Sequence, residues 1–498
     1  MVYTDWIQKW AIYSPKKIAV KEVESGRSYT YAEINVVAER LAHDLISSKG
    51  LVKGDRILVL AEHCVEYVIL FSACQKSGLT MVPINYRLAP SEIEYLVQNC
   101  EPRLMIVEDQ FLEKTGEIDI SENTLRWTLN DFSDKCDVYL KQELAPNLDH
   151  INVTEDDPLF ILYTSGTTGF PKGAIYTHKM LFWNSVNTTI GLNITSDDTT
   201  VLSMPPFHTG GWNVLLTPIL HRGGTVILLK KFDAETILRS LEEEKASIFM
   251  AVPTMLKMMV ESTEFINVTL ESIRYFIVGG EALPLKLIKT WNDKGICLRQ
   301  GYGLTEVGPN LTSLHHDDAI RKIGSIGKPN FYVESRVVDE NDQEVSSNEI
   351  GEFCFKGDIV TPGYWNNEEG TRKSIKEGWF YTGDLVRKDE EGFIYVMDRK
   401  KNMFISGAEN VYPAEVERII CQHPLVSEVA VIGVEDEKWG EVGKAFLVFK
   451  ENTPIDDIKN YCIEHMAKFK VPKYYRIVEA LPKTDSGKID RKVITKMT

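Results

Sequence analysis

The sequence predicts an α/β protein with a large N-terminal region, a small β-rich lobe and a separate α+β unit at the C-terminal end. Three observations carry this expectation. Short apolar runs alternate with helical patterns through the first and middle parts of the chain, which implies a largely parallel sheet. Between residues 325 and 397, β-formers alternate or cluster between Gly, Asn and Asp turns, as in a small antiparallel or barrel-like lobe. Beyond residue 400, a series of helix, strand, strand and helix covers about 100 residues, the size of an independent domain. A chain of 498 residues is also too long for one ordinary core, so two to four domains or lobes are expected.

Taken in order, Ile34, Val37, Ala38, Leu41 and Leu45 recur at helical spacing. Lys53-Gly54-Asp55 then turns the chain into a strand over Arg56–Leu60. A second helix is expected over Glu66–Lys76, ending near Gly78. The apolar run Val65–Ala73 is too short for a membrane span and reads as buried helix. Met81–Pro83 is a short strand, Ser91 caps a helix over Glu92–Asn99, and Leu104–Val107 returns as a strand. Leu159–Leu162, Thr225–Leu229, Ser247–Met250 and Tyr275–Val278 are further buried strands. In the lobe the strands are Glu334–Val338, Gly351–Phe355 and Phe393–Met397. The charged stretch Lys400–Asn402 reads as a joint. After it come helix Ala414–Cys421, strands Val429–Val434 and Ala445–Phe449, and helix Ile455–Ala467.

Composition narrows the function classes. Hydrophobic content of 43% and charged content of 26% describe a soluble globular protein. A net charge of −16 argues against a general nucleic-acid binder, which carries a basic face. The first twenty residues mix Asp5, Lys9 and Lys16 with two tryptophans and lack the apolar core of a signal peptide. Eight cysteines without a CxxC pair read as core thiols of a reducing, cytoplasmic location rather than disulfides or a zinc site.

The stretch around which the rest is organised is Tyr163-Thr164-Ser165-Gly166-Thr167-Thr168-Gly169-Phe170-Pro171-Lys172-Gly173. A strand leads into a loop of small, hydroxylated and glycine residues that ends on a lysine. Glycines let backbone N–H groups converge, hydroxyls add donors and the lysine supplies a point charge, so the loop can wrap an anion. It is not a Walker A loop, because Lys172 follows a proline and no hydroxyl follows it. Four further stretches carry chemistry. Pro205-Pro206-Phe207-His208-Thr209-Gly210-Gly211-Trp212 places a histidine, either a core residue or a pocket residue, between stiff prolines and close-approach glycines. Tyr302-Gly303-Leu304-Thr305-Glu306 presents a carboxylate, either a solvated loop group or a hard ligand for Mg²⁺. Tyr381-Thr382-Gly383-Asp384-Leu385 offers an acceptor-only carboxylate suited to a vicinal diol, and Arg399 can reinforce it or simply form a surface salt bridge. The lysine-rich end runs Leu481-Pro482-Lys483-Thr484-Asp485-Ser486-Gly487-Lys488.

Together these motifs resemble, from about Asp5 to Arg491, the acyl-CoA synthetase branch of the adenylate-forming superfamily. The resemblance implies two α/β subdomains and a small β-rich lobe over 1–400, followed by a mobile α+β domain over 401–498. It implies ATP, Mg²⁺ and coenzyme A as cofactors and a carboxylic acid as substrate, medium-chain fatty or aromatic. A carrier-protein thiol is the alternative acceptor, a catalytically silent binding protein is the alternative class, and a homodimer is left open. By the same resemblance, Thr164, Ser165, Gly166, Thr167, Thr168, Gly169 and Lys172 cradle phosphates. Gly280, Glu281, Ala282, Tyr302 and Gly303 border the adenine, Thr305 the phosphates, and Glu306 binds the metal. Asp384 and Arg399 hold the ribose. His208 stands at the mouth of the acyl pocket, which Trp212 is expected to narrow. Lys488 serves adenylation, with Lys483 in a lesser role, and the loop at Gly407 serves the thioester step. Asn402 at the hinge and Ala408 depart from residues common in the family, Asp and Gly respectively.

Overall fold

The computed structural model describes residues 4–142, 148, 151–164, 171–280, 283–406, 409–436, 439–451, 453–484 and 487–498. The chain forms two compact units, one of Met1–Ser335 with Phe355–Phe380, the other of Arg336–Cys354 with Tyr381–Thr498. Among the described residues, no helix is long and apolar enough to cross a membrane.

The first unit contains a six-stranded sheet in the order Leu125–Thr128, Leu104–Val107, Arg56–Leu60, Thr80–Pro83, Pro158–Thr164, Lys172–Thr177. All neighbours are parallel except the last pair, which is an antiparallel hairpin with Thr164 opposite Lys172. Its strands are apolar on both faces, as parallel strands covered by helices must be. Helix Val65–Ser77 is buried at every position but Lys76, as its unbroken apolar run predicts.

A second sheet in this unit runs Ser28–Thr30, Ile18–Glu22, Thr225–Leu228, Thr199–Leu202, Ile248–Ala251, Tyr275–Val278, Leu298–Leu304, Gly308–Ser313, Ser325–Pro329. Neighbours from Ile18–Glu22 through Leu298–Leu304 are parallel, and those beyond are antiparallel. Ile18–Glu22 reaches its partner Thr225–Leu228 across about 200 residues of intervening chain. The preceding helix, Trp6–Tyr13, docks in the same place: Trp6 stacks on His221 with ring centroids 3.8 Å apart, and Trp10 Nε1 donates to the His221 carbonyl at 2.9 Å.

Two expectations are corrected here. Ser91 does not cap its helix, which spans Pro90–Cys100. The cap position is Ala89, whose N–H donates to the Glu92 carboxylate at 2.8 Å, and Pro90 takes the first turn, where a missing N–H costs nothing. Trp212 does not line an open pocket. It is fully buried, donates from Nε1 to the Pro206 carbonyl at 2.7 Å, and packs its ring against Phe160, Phe71 and Tyr67. Gly211 makes this possible, because a Cβ there would lie 2.3 Å from the Pro205 carbonyl oxygen.

In the second unit the lobe strands run Glu334–Val338, Ile350–Lys356, Trp379–Lys388, Ile394–Arg399, the last two antiparallel with Asp384 opposite Arg399. The C-terminal sheet orders Glu409–Val411, Phe404–Ser406, Gly440–Phe449, Val426–Asp436, and Tyr474–Ile477 adds a parallel strand beside Gly440–Phe449. Helices Pro413–Ile420 and Ile455–His465 bury Val416, Ile420, Ile458 and Cys462 in its core. Asp398 ties this region together: it accepts from Asn402 Nδ2 at 3.0 Å and from the Ala414 N–H at the start of helix Pro413–Ile420 at 2.7 Å.

Candidate active site

In the first unit, the antiparallel pairing of strands Pro158–Thr164 and Lys172–Thr177 places Thr164 and Lys172 opposite each other. Strand Leu298–Leu304 ends in a single turn, Thr305–Val307, that presents Glu306. The Glu306 carboxylate accepts a hydrogen bond from the Tyr364 hydroxyl at 2.9 Å and a longer one from Thr164 Oγ1 at 3.4 Å. The Glu306 carbonyl receives the Thr361 N–H at 2.8 Å, which locks the turn. Lys172 Nζ sits 4.9 Å from the centroid of the Tyr364 ring, a cation–π contact. Tyr364 is held in turn by a bridge to Ala174, and the Trp365 N–H donates to the Gly173 carbonyl at 2.7 Å.

Three chain segments thus converge on one carboxylate and one ammonium. Among the described residues, neither Glu306 nor Lys172 is neutralised by an ion pair. A carboxylate held only by hydroxyl donors keeps free lone pairs, which suits a hard cation such as Mg²⁺. The unpaired ammonium beside it suits phosphate oxygens. The donor set therefore fits a metal–nucleotide ligand.

Tyr302, on the same strand, lies face-on to Phe355 with centroids 6.4 Å apart, and Gly303 answers a packing demand. A Cβ on Gly303 would meet the Pro309 carbonyl carbon at 2.2 Å, so the hairpin carrying Glu306 closes only around glycine. Thr305 lies half-buried beside Glu306, and Gly280 is exposed at a left-handed φ of 87° after strand Tyr275–Val278. His208 is half-buried against Phe207, with ring centroids 4.5 Å apart, and its carbonyl accepts the Gly211 N–H at 2.9 Å. Ser165, Gly166, Thr167, Thr168, Gly169, Glu281, Ala282, Gly407 and Ala408 lie outside the described residues.

In the second unit Asp384 is buried and forms an ion pair with Arg399, its partner across the antiparallel ladder. The two residues paired on chemical grounds are thus also structural neighbours. Lys488 is exposed in a turn where the Thr484 N–H donates to its carbonyl at 2.7 Å. Lys483 pairs with Glu428 at 2.8 Å. The residue that sequence reasoning missed is Tyr364. Its segment, Pro362-Gly363-Tyr364-Trp365, reads as turn punctuation, and nothing local announces a hydroxyl aimed at a residue 58 positions earlier.

Comparison with known proteins places the chain among relatives over nearly its whole length. Residues 7–365 match the family described as AMP-binding enzyme, and residues 415–488 match the AMP-binding enzyme C-terminal domain. The chain is 35% identical over 486 residues to a feruloyl-CoA synthase of an Amycolatopsis species, covering 97% of this chain and 96% of that protein. It is 36% identical over 491 residues to the long-chain-fatty-acid–CoA ligase FadD13 of Mycobacterium tuberculosis, covering 98% and 97%. Among solved structures, O-succinylbenzoate coenzyme A synthetase of Bacillus subtilis, in complex with ATP and magnesium ion, superposes with a TM-score of 0.87 at 31% identity, covering 99% of each chain.

Proposed function

The chain belongs to the AMP-binding enzyme family, in its acyl-CoA synthetase branch, and on that footing we propose which residues perform the reaction and which acid they activate. It is an ATP-dependent acid–CoA ligase that works through an acyl-adenylate, using ATP, Mg²⁺ and coenzyme A. The observation that carries the assignment of residues is the cluster of Thr164, Lys172, Glu306 and Tyr364.

A carboxylate is a poor electrophile because its leaving group is oxide. Transfer of AMP to it, with loss of pyrophosphate, supplies a good leaving group, and the CoA thiol then displaces AMP. The barrier in the first step is charge on the transferring phosphoryl oxygens. Mg²⁺, when bound, screens that charge, and Glu306 is the carboxylate that would hold it. Lys172 keeps an ammonium free for phosphate oxygens, and the Tyr364 ring limits where it swings. Thr164 offers a hydroxyl at the same place. Asp384 accepts from the ribose diol while its ion pair with Arg399 orients the carboxylate. The C-terminal domain, taken as 401–498, serves the two steps with different elements: Lys488 in adenylation and the Gly407 segment in thioester formation. His208 borders the acyl group.

The acid we propose is a medium-chain fatty or aromatic one. Support comes from relatives whose names give a feruloyl and a long-chain fatty acyl product, which bracket aromatic and aliphatic acids. Six cysteines buried as free thiols support a cytoplasmic location. Mg²⁺-dependent ATP–pyrophosphate exchange across aliphatic and aromatic acids, followed by CoA-dependent AMP release, tests the reading. Exchange is expected with at least one acid class. ATP binding without exchange for any acid would overturn it in favour of a silent binding protein.

A further inference from the structure

In the second unit the chain carries Lys488 on a narrow hairpin. The Asp490 N–H donates to the Pro482 carbonyl at 2.8 Å, Lys483 and Ile489 form an antiparallel bridge, and the Thr484 N–H closes on the Lys488 carbonyl at 2.7 Å. Lys488 is exposed, and among the described residues its ammonium has no ion pair. Its aim is therefore set by whatever holds the two stems of the hairpin. Leu481 on the incoming stem is buried among Ala430, Ile432, Phe446 and Ile494, and Ile489 on the outgoing stem packs against the same group. Apolar burial fixes how deep the stems sit, but it is non-directional.

Two ion pairs flank the turn. Lys483 meets Glu428 at 2.8 Å, with side chains 45% and 36% exposed, so water competes for both groups and the pair orients little. Arg491 meets Glu417 with side chains only 24% and 14% exposed. Arg491 Nη2 donates to both Glu417 carboxylate oxygens at 2.7 Å, and Nη1 donates to the Val431 carbonyl at 2.5 Å. Glu417 in turn accepts the Val431 N–H at 2.6 Å. One guanidinium, three residues beyond Lys488, thus joins helix Pro413–Ile420 to strand Val426–Asp436. The arrangement is expensive. Burial raises the Glu417 carboxyl above its ordinary range, and a buried ion pair stabilises a fold no better than apolar side chains of the same volume. What a planar fork supplies, and apolar side chains do not, is direction.

We propose that Arg491 and Glu417 are positioning residues for the adenylation step: they fix the outgoing stem of the hairpin so that Lys488 is presented in one orientation. Neither side chain touches ATP or the acid, and both act through the backbone that carries Lys488. This rests on the assignment of Lys488 to adenylation made above and adds the pair that aims it.

The test measures both half-reactions by rapid quench on full-length variants: adenylate formation from acid and ATP, and thioester formation from supplied acyl-adenylate and CoA. Arg491→Met should slow adenylation about 10²-fold, the loss that follows from about 1 Å of misplacement. The loss is expected in kcat rather than in KM for ATP, with thioester formation within about threefold of wild type. Arg491→Lys keeps a charge for Glu417 without the fork and should recover part of the rate. Glu417→Leu combined with Arg491→Met removes both charges together, so it should melt like the wild type yet stay slow in adenylation. Glu428→Gln, which breaks only the exposed pair, should leave both steps within about twofold. If Arg491→Met does not fold, the double variant and Arg491→Lys decide. Full adenylation in the double variant would make the pair a support for the fold and nothing more, and would overturn the inference. Equal slowing of both steps in folded variants would do the same. In either case a step-selective Lys488→Ala leaves the Lys488 assignment standing. A Lys488→Ala variant that adenylates normally would remove that assignment and the inference with it.

Discussion

Tyr364 gives its two halves to two different partners, the hydroxyl to Glu306 and the ring to Lys172. Substitutions can separate them. Tyr364→Phe keeps the ring and removes the donor, so the Glu306 carboxylate loses its closer fixed hydrogen bond. Pyrophosphate exchange should fall about tenfold, with a raised Mg²⁺ half-saturation and little change in ATP affinity. Tyr364→Leu removes both contacts and should weaken ATP binding as well. Titration of exchange against Mg²⁺ and then against ATP distinguishes the two, and equal effects from both substitutions would mean that the ring contributes nothing. At this scale the sequence singles out residues by type and order: Thr164, Lys172 and Glu306, which the structure brings together, and Asp384 with Arg399, which it pairs. Tyr364 is not singled out, because a tyrosine after Pro-Gly has no local feature separating a positioned hydroxyl from an ordinary turn residue. Trp212 was misread for a related reason. Bulk beside two glycines is equally consistent with a gate or a core plug, and only the rings of Phe160, Phe71 and Tyr67 decide.

Individual elements turn that packing into an expected stability loss. Strand Pro158–Thr164 carries Phe160 against Trp212, so the core behind the hairpin that pairs Thr164 with Lys172 depends on the indole. Trp212→Ala should cost about 3–5 kcal/mol of stability and lower the melting transition, while the ratio of long to short acids stays put. A shifted ratio with unchanged stability would restore Trp212 as a gate. Gly303→Ala should damage the Glu306 hairpin specifically, since the intruding methyl meets backbone rather than a movable side chain. Loss of Mg²⁺-dependent exchange in a variant with a retained melting transition is the expected pattern. Buried parallel strands were legible as short apolar runs, because residues covered on both faces need no alternation. Helix Pro90–Cys100 was legible but its cap was not. Ser91 has the residue type of a cap, yet Pro90 occupies the first helical position and moves the boundary back by two residues.

For the whole molecule, three buried histidines of the first unit set an acid limit. Burial pushes His63, His178 and His221 down to about 4 from the usual 6.5. The folded unit excludes a proton that the unfolded chain accepts, so their contribution is fully present above pH 6.5 and is lost as pH falls toward 4. Each can remove up to roughly 3 kcal/mol. Denaturant midpoints should therefore fall steeply between pH 6.5 and 4.5, and a flat profile would mean that these rings are protonated without penalty. The proposed division of labour between half-reactions is tested at the same scale. Lys488→Ala should lower acyl-adenylate formation by about 10²–10³ and spare thioester formation from supplied acyl-adenylate and CoA. Rapid-quench measurement of each step decides, and equal slowing of both steps in a folded variant would remove the case for alternation. Domain alternation was named in the sequence by resemblance alone, because nothing in composition or periodicity records how one unit moves.

The pairing of Ile18–Glu22 with Thr225–Leu228 has a consequence for biosynthesis. The six-stranded sheet draws only on Arg56 to Thr177 and can close as soon as that stretch has emerged. The first strand and the helix Trp6–Tyr13 meet Ser28–Thr30 and helix Tyr31–His43 early, but their partners Thr225–Leu228 and His221 are made later. At about 5–20 residues per second, a ribosome leaves them waiting roughly 10–40 s. During that interval Trp6 and Val20, both buried in the finished protein, lack the neighbours His221 and Val226. Nascent chains halted near residue 215 should therefore present a protected sheet behind a protease-sensitive, chaperone-binding segment around Trp6 and Val20, and chains halted beyond residue 260 should not.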